Sequence, residues 1–441
     1  MKNIKHHFLL VFSKAALLML ALQIILPSCR NEKKIIVDAG FIDSVITHYE
    51  TPAVIKANEE EILFWKNRIN PKNPGIVNES KYAGALMSRF HLTGNINDVK
   101  TADSILKKID TLFDHKESAP NLSLAGHYIL EHRFTEAAAT LQKATMIGLK
   151  KYDLHAASFD VGLELGHYLD ANSNLYAIRA ENDYGYKFRQ SKWQHYKGNM
   201  DSAINAMQKA IALSGKDISL QQAAISNTAD LYLHNGELQK ASDLYIQSIR
   251  LSVADLHSIM RLGWIALVHD KNIPQAEKIF QFVQPKTMAP DAQLKLVQAA
   301  EAKGDSNSAR QLASTFVNKV SDSRYGNMYN KYLIDLYTSV LNEPAKAESV
   351  AAIELANRTT PQTYAWYVYA LFKNGKGDKA FKIYQQQVSG KPLEGLESYW
   401  IGKMMQGLKK GYNAKAYFEE AYKNRYDLSP AKIKDLEMIE R

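Results

Sequence analysis

The chain has 441 residues, of which 46% are hydrophobic and 23% charged, so it can bury a large core and does not have a disordered composition. The formal net charge is +9, but no dense Lys/Arg run is interleaved with aromatic residues, which argues against nucleic-acid binding. The only cysteine is Cys29, which excludes an intrachain disulfide and a metal site built on cysteines.

The first 28 residues have the pattern of a secretory signal peptide. Lys2 and Lys5 form a positive start, and an uncharged, mostly apolar run follows at 15–26. This run is shorter than the roughly 20 residues that span a bilayer. Extending it back to Phe8 places Lys14 within the membrane, where a charge is unfavourable. The pattern therefore predicts a cleaved leader at 1–28, with a retained membrane anchor as an alternative.

The end of this leader resembles a bacterial lipobox. In that motif a small residue precedes a cysteine that is acylated and becomes the mature N-terminus. Leu26 and Ser28 fit the motif, whereas Pro27 replaces its usual small or aliphatic residue. The resemblance implies lipidation at Cys29 and firm membrane attachment, because each buried CH₂ adds about 0.8 kcal/mol. The alternative is an incidental free thiol.

Removal of the leader also affects charge and destination. It deletes three lysines and no acid from the charge of +9, which leaves +6 and favours acidic surfaces as partners. Arg30 occupies the position at which an aspartate would retain such a lipoprotein at the inner membrane. We therefore expect a lipoprotein of the bacterial outer membrane that faces the periplasm.

Residues 29–120 form an irregular helical region. The stretch 57–69 predicts a helix that carries Phe64 and Trp65, and 81–90 predicts a second helix. Because a terminal repeat needs one atypical face, we interpret this region as a degenerate repeat or an N-terminal cap.

A repeating pattern covers residues 121–425. In the stretch 191–214, Gly198, Ala203, Met207 and Ala210 have relative spacings of 0, +5, +9 and +12. Equivalent alanines follow at 241, 276, 309, 347, 380 and 414, with spacings of 38, 35, 33, 38, 33 and 34. Spacings of four and three place the two alanines and Met207 on one helical face, and glycine at the turn permits a positive φ.

This pattern resembles the tetratricopeptide repeat, a helix–turn–helix of about 34 residues. The resemblance implies an all-α fold, a right-handed α-solenoid superhelix of antiparallel helix pairs with about nine units. The residues assigned to its turn and helix-packing positions are Ala137, Gly198, Ala203, Ala210, Gly236, Ala241, Gly263, Ala276, Gly304, Ala309, Ala347, Gly375, Ala380 and Ala414. The remaining 426–441 predict a polar capping helix with Pro430 in its first turn.

The sequence carries none of three common catalytic and nucleotide-binding motifs. The sequence has no Gly-x₄-Gly-Lys-Ser/Thr, no Gly-x-Ser-x-Gly and no His-Glu-x-x-His. His127 and His132 are five residues apart, whereas two metal ligands on one helical face need a spacing of three or four. We predict a protein that is not an enzyme and that has no metal site and no cofactor. A polar cluster with perturbed pKa values in the groove would favour the enzyme alternative.

In the tetratricopeptide family, first-helix residues on the inner face contact the partner. When the first helices are aligned by the repeat spacing, the resemblance assigns this role to Phe188, Lys192, His195, Tyr196, Asp230, His234, Trp264 and Tyr369. For each aromatic residue the alternative is packing between repeats. Family members that grip a C-terminal carboxylate use Lys and then Asn at fixed positions. Phe188 and Lys192 stand there instead, so that clamp is not supported.

The predicted function is a non-catalytic interaction scaffold, an envelope lipoprotein that binds a peptide or protein partner on its concave face. A small-molecule substrate and nucleic acid are not expected. One alternative is a helical-repeat lipoprotein of glycan uptake, although such proteins build the sugar site from long insertions and the repeats from 183 to 425 leave little room. Another is a cytosolic regulatory scaffold with an uncleaved N-terminus.

Overall fold

The computed structural model describes residues 34–409 and 414–439, so the predicted leader 1–28 and the lipidation site Cys29 lie outside the described residues. Within those two ranges the chain forms 23 α-helices and three short 3₁₀ turns, and strands are absent. The all-α prediction is confirmed. None of the described helices is both long and apolar enough to cross a membrane.

The helices follow one another with short connections. The first twelve are α1 (Ala39–Thr47), α2 (Ala53–Lys66), α3 (Ile76–Thr93), α4 (Ile96–Leu112), α5 (Ser118–Leu130), α6 (Phe134–Ile147), α7 (Lys151–Leu165), α8 (Tyr168–Ala177), α9 (Tyr184–Tyr196), α10 (Met200–Leu213), α11 (Ile218–His234) and α12 (Leu238–Leu251). The others are α13 (Leu256–Val268), α14 (Ile273–Val283), α15 (Asp291–Lys303), α16 (Ser306–Val320), α17 (Asn330–Thr338), α18 (Pro344–Asn357), α19 (Pro361–Lys373), α20 (Gly377–Gln387), α21 (Gly395–Leu408), α22 (Ala414–Lys423) and α23 (Pro430–Ile439).

Ten consecutive antiparallel pairs, α3/α4 to α21/α22, make up the array in the described ranges. Each helix packs mainly against its neighbours in sequence, as in repeat proteins. The sequence predicted about nine units. The pair α3/α4 lies in the region that was interpreted as degenerate, and it is a complete helix pair.

The turns within the pairs show why glycine recurs. Gly198, Gly236, Gly304 and Gly375 have φ values of 76°, 79°, 79° and 77°, a left-handed conformation that costs glycine little. His132 occupies the same place between α5 and α6 with φ 54°, despite its side chain.

The repeat alanines lie where paired helices cross. The alanines at 137, 203, 210, 241, 276, 347 and 380 are completely buried, Ala309 is 2% exposed and Ala414 is partly buried. Gly263 marks an even closer approach between α13 and α14. A Cβ atom at Gly263 would lie 2.7 Å from Phe280 and 2.9 Å from Ile279. Small side chains are therefore a steric requirement of this packing.

Distant parts of the chain also contact one another. The Asp270 carboxylate accepts hydrogen bonds from the backbone N–H groups of Ile36 and Val37, both at 3.0 Å and from 234 and 233 residues away. Asn357 donates to the His132 carbonyl at 2.7 Å over a separation of 225 residues. Since one helix pair takes about 34 residues, these contacts join units six or seven pairs apart. Successive turns of the superhelix therefore touch.

The C-terminal segment, residues 425–439, returns to the inner side of the array. It consists of a 3₁₀ turn (Arg425–Asp427) and α23, which packs on α15. Trp264 Nε1 of α13 donates to the Tyr426 carbonyl at 2.6 Å, and Lys432 pairs with Asp335 of α17 at 2.8 Å. Leu428 and Leu436 are 1% and 0% exposed. This helix is therefore more than a polar cap, because its apolar side packs in the core.

Candidate functional site

Two adjoining cavities lie on the inner side of the superhelix. The larger cavity has a volume of about 1230 Å³ and is bounded by residues of α7 to α11 on one turn and of α17 to α22 on the next. The smaller cavity, about 390 Å³, lies deeper, between the first helices α9 to α17 and the C-terminal segment. Six residues line both cavities: Lys192, His195, His234, Lys331, Tyr332 and Glu394.

An ion cluster joins α17, α19 and α21 at the larger cavity. Lys331 Nζ lies 2.9 Å from Glu397 and 3.4 Å from Glu394, and Trp366 Nε1 donates to Glu397 at 2.7 Å. Burial disfavours the charge on Lys331, but the two carboxylates raise its pKa above the ordinary value. The charge on Lys331 lowers the pKa of Glu394. Lys331 and Glu394 therefore stay ionised near neutral pH, and the cluster positions the helices.

Two histidines meet between the cavities. The rings of His195 and His234 stand edge to face with centroids 5.0 Å apart, and His234 Nδ1 bonds to the Asp427 carboxylate. Burial opposes protonation of His234, but the hydrogen bond and charge of Asp427 prevail and raise its pKa. Burial and the neighbouring His234 lower the pKa of His195. His234 thus links α11 to the C-terminal segment.

Asp230 of α11 is fully engaged by protein groups. It accepts from Tyr245 at 2.6 Å and from His257 at 2.9 Å, and it pairs with Arg261 Nε at 2.9 Å. Burial raises its pKa, but Arg261 and His257 more than reverse this effect, so the net pKa is lowered. Asp230 is a fixed anion that holds α11, α12 and α13 together.

Three lysines of the larger cavity have no carboxylate within ion-pair distance in the described part of the chain. They are Lys192, Lys197 and Lys391. By contrast, Glu164 pairs with Arg358 at 2.9 Å, and Glu420 pairs with Lys423 at 2.9 Å. The larger cavity therefore has an excess of positive charge.

The eight residues predicted to contact a partner separate into three groups. Lys192, His195, Tyr196, Asp230 and His234 line one or both cavities and are not deeply buried. Phe188 stacks on Tyr184 of the same helix, α9, at 5.9 Å and lines neither cavity. Trp264 and Tyr369 are buried.

Two of the eight predictions need correction. Trp264 is 1% exposed because the C-terminal segment covers it, and Tyr369 is 7% exposed and stacks on Trp400 of α21 at 5.1 Å. Tyr369 is a packing residue that lines neither cavity. Trp264 borders the smaller cavity but is so deeply buried that it offers a partner protein almost no surface.

Several cavity residues were not found by sequence reasoning. The most important are Arg261, Lys295, Lys331, Arg358, Trp366, Glu394 and Glu397. Lys295, Lys331 and Trp366 lie on first helices, so the same alignment by the repeat spacing on α15, α17 and α19 would have found them. Arg358 and Glu394 lie outside these helices, at positions that become cavity walls only when two turns of the superhelix meet.

The two cavities present charged and aromatic side chains. In residues 34–409 and 414–439, no group of three His, Cys, Asp or Glu side chains is arranged to hold a metal ion. His234 bonds to Asp427, and Glu394 and Glu397 bond to Lys331, which ties the inner helices together.

Comparison with known proteins finds solved helical-repeat structures of low identity. No family model and no curated protein matches the chain. A solved tetratricopeptide repeat protein from Parabacteroides merdae is 15% identical, with 65% of this chain and 97% of that chain covered and a TM-score of 0.33. The quorum sensor NprR from B. thuringiensis is 13% identical, with coverages of 76% and 98% and a TM-score of 0.41. Yeast Tom70 is 13% identical, with coverages of 91% and 96% and a TM-score of 0.34.

Proposed function

We propose that this tetratricopeptide-like helical array is a non-catalytic interaction scaffold that receives an extended acidic segment of a partner protein in the larger cavity. The observation that carries the proposal is the set of three unpaired lysines, Lys192, Lys197 and Lys391, around a cavity of about 1230 Å³. Every carboxylate that lines this cavity already has a cationic partner.

The charge of the larger cavity favours an acidic occupant. Cationic side chains between low-dielectric walls focus a positive potential, which raises the local concentration of anionic groups and their rate of association. Lys192 and Lys197 lie beside the aromatic rings of Phe188 and Trp193, each at 5.7 Å, and no carboxylate of the described residues lies within ion-pair distance of either ammonium group. The net charge of +6 that remains after removal of the predicted leader also favours an acidic partner.

The shape of the larger cavity favours a segment over a folded domain. Two superhelical turns bound it, and the C-terminal segment occupies the inner surface next to it. Tyr196 and Tyr332 line it and offer rigid aromatic surfaces, the kind of side chain that anchors many interfaces.

A photo-crosslinking amino acid at Gln362, which lines the larger cavity, tests this proposal in intact cell envelopes. The matched control carries the same amino acid at Lys143, which is exposed on the outer helix α6. We expect the Gln362 position alone to capture a partner through an acidic stretch, and we expect Lys192→Glu with Lys391→Glu to abolish the capture. Identical products at both positions, or none at Gln362, would refute the cavity as the binding site.

We also propose that the protein is anchored to the outer membrane through a lipidated Cys29. The support is the leader pattern and the position of the only cysteine in the chain. Labelling with a clickable fatty acid and membrane fractionation test this, with Cys29→Ser as the comparison. Incorporation of label into the wild type alone is expected. Unlabelled protein in the cytoplasm that retains Met1 would contradict the anchor and favour a cytosolic scaffold, whether or not the cavity binds a partner.

A further inference from the structure

The smaller cavity brings together two cations from successive first helices. Arg261 of α13 and Lys295 of α15 both line this space of about 390 Å³. Arg261 forms one ion pair, between Nε and Asp230 at 2.9 Å, and its side chain is 26% exposed. The two terminal nitrogens of its guanidinium bond to no described residue.

Lys295 is held in this cavity without a counter-charge. Its Nζ atom lies 3.5 Å from the centre of the Trp264 ring and donates to Gln298 at 3.1 Å. No carboxylate of the described residues lies within ion-pair distance of this nitrogen. Burial and the charge of Arg261 lower the pKa of Lys295 to about 7, which reflects the cost of a charged amine there.

The carboxylates around the smaller cavity are already engaged. Asp335 pairs with Lys432 at 2.8 Å, Glu394 pairs with Lys331 at 3.4 Å, and Asp427 bonds to His234. Asp230 bonds to Arg261, Tyr245 and His257. Lys295 is therefore a cation for which this cavity supplies no anion.

We propose that the smaller cavity is an anion-binding pocket in which Arg261 and Lys295 hold a carboxylate, sulfate or phosphate group between them. A bound anion would remove the repulsion between the two cations. The planar guanidinium can donate two parallel hydrogen bonds to such a group, and the ammonium adds a third donor. The face of the Trp264 ring contacts the Lys295 ammonium at 3.5 Å. Gln298 and Tyr332 add further polar groups to the lining of the same cavity.

The anionic group can come from two sources. A free small anion can occupy the pocket, or an acidic side chain can enter from the larger cavity, since six residues line both spaces. The pocket itself does not depend on the proposed scaffold function, because a small anion needs no partner protein.

Protection of Lys295 from amine acetylation tests the pocket in the wild-type protein, without any substitution. The mature chain is treated near pH 7 with an activated acetate ester, and labelling is measured at Lys295 and at Lys209, an exposed lysine of α10. Sodium sulfate and an oligoglutamate peptide are the two probes, each matched to sodium chloride at equal ionic strength. We expect at least tenfold slower labelling of Lys295 with unchanged labelling of Lys209.

The two probes distinguish a free small anion from an acidic side chain. Protection by sulfate assigns the pocket to a free small anion, whereas protection by oligoglutamate alone assigns it to an acidic side chain. Protection by neither probe, or equal protection of Lys209, overturns the proposal. Titration calorimetry supplies a second measurement, in which Lys295→Met is expected to weaken binding of the effective probe at least tenfold and Lys209→Met is expected to leave it unchanged.

Discussion

The inner surface of the array differs between two stretches built by the same repeat. Along α9, Lys192 and His195 face open space in the larger cavity. Along α13, Trp264 is 1% exposed because the C-terminal segment lies on it. Both stretches have the same helix–turn–helix geometry, so the repeat does not decide which inner face is accessible. In a superhelix whose turns touch, accessibility depends on what returns to cover each face.

The largest expected effect concerns the covered stretch. Leu436→Ala should reduce the free energy of unfolding by about 2–5 kcal/mol, because Leu436 is completely buried and its truncation leaves a cavity. Met438→Ala on the same helix is the control, because Met438 is 59% exposed and surface changes stay within about 0.5 kcal/mol. Urea unfolding measures both. Equal midpoints for the two variants would show that the C-terminal segment packs only loosely.

Lys295→Met should stabilise the protein by about 2 kcal/mol at pH 6 in chloride buffer. The lysine pKa is about 7 in the folded protein and about 10.4 in the unfolded chain. Below pH 7 the lysine is charged in both states, and its burial destabilises the fold. Between pH 7 and about 10.4 the unfolded chain binds the extra proton, so this group makes stability rise with pH.

The difference between wild type and Lys295→Met should therefore shrink as pH rises from 7 to 10. Thermal or urea unfolding at several pH values measures it, and Lys209→Met is the control for loss of a lysine charge. A constant difference across this range would mean that Lys295 is not an unpaired buried charge.

A smaller effect is expected at the bond between His234 of α11 and Asp427 of the C-terminal segment. The pKa of His234 is raised in the folded protein, so its bond to Asp427 stabilises the fold fully below the ordinary pKa of about 6.5. This contribution is lost as pH rises through the folded pKa. Asp427→Asn should cost about 1 kcal/mol at pH 6 and less at pH 8.5. If the loss of stability in Asp427→Asn does not change with pH, the bond to Asp427 is made by neutral His234 and the prediction is wrong.

The smallest effect on stability is expected in the open stretch. Lys192→Ala and Lys391→Ala should each change the free energy of unfolding by less than about 0.5 kcal/mol, because both lysines are exposed and lack a carboxylate partner. Capture of the acidic partner from Gln362 should nevertheless fall in both variants. A marked loss of stability would mean that these lysines support the fold, which would weaken the case for a binding site.

The repeat pattern was sufficient to predict the helix pairs, because their requirements are local. Gly198 must take a positive φ, and Ala203 must be small where two neighbouring helices cross. Both requirements arise within about 34 residues and recur with that period. The accessible residues of the inner face were predicted less well. Lys192 lines both cavities, whereas Trp264, also chosen by alignment of the first helices, is buried beneath a segment 162 residues away in sequence.

The sequence alone determined an all-α array of helix pairs, the positions of its turns and the small residues at its crossings, because these follow from periodicity and from sterics between neighbouring helices. Only the tertiary structure decided where the cavities lie, since their walls come from different superhelical turns. It also decided which charges remain unpaired. Lys295 lacks a carboxylate because Asp335, Glu394 and Asp427 bond to other residues, and those pairings depend on the path of the whole chain.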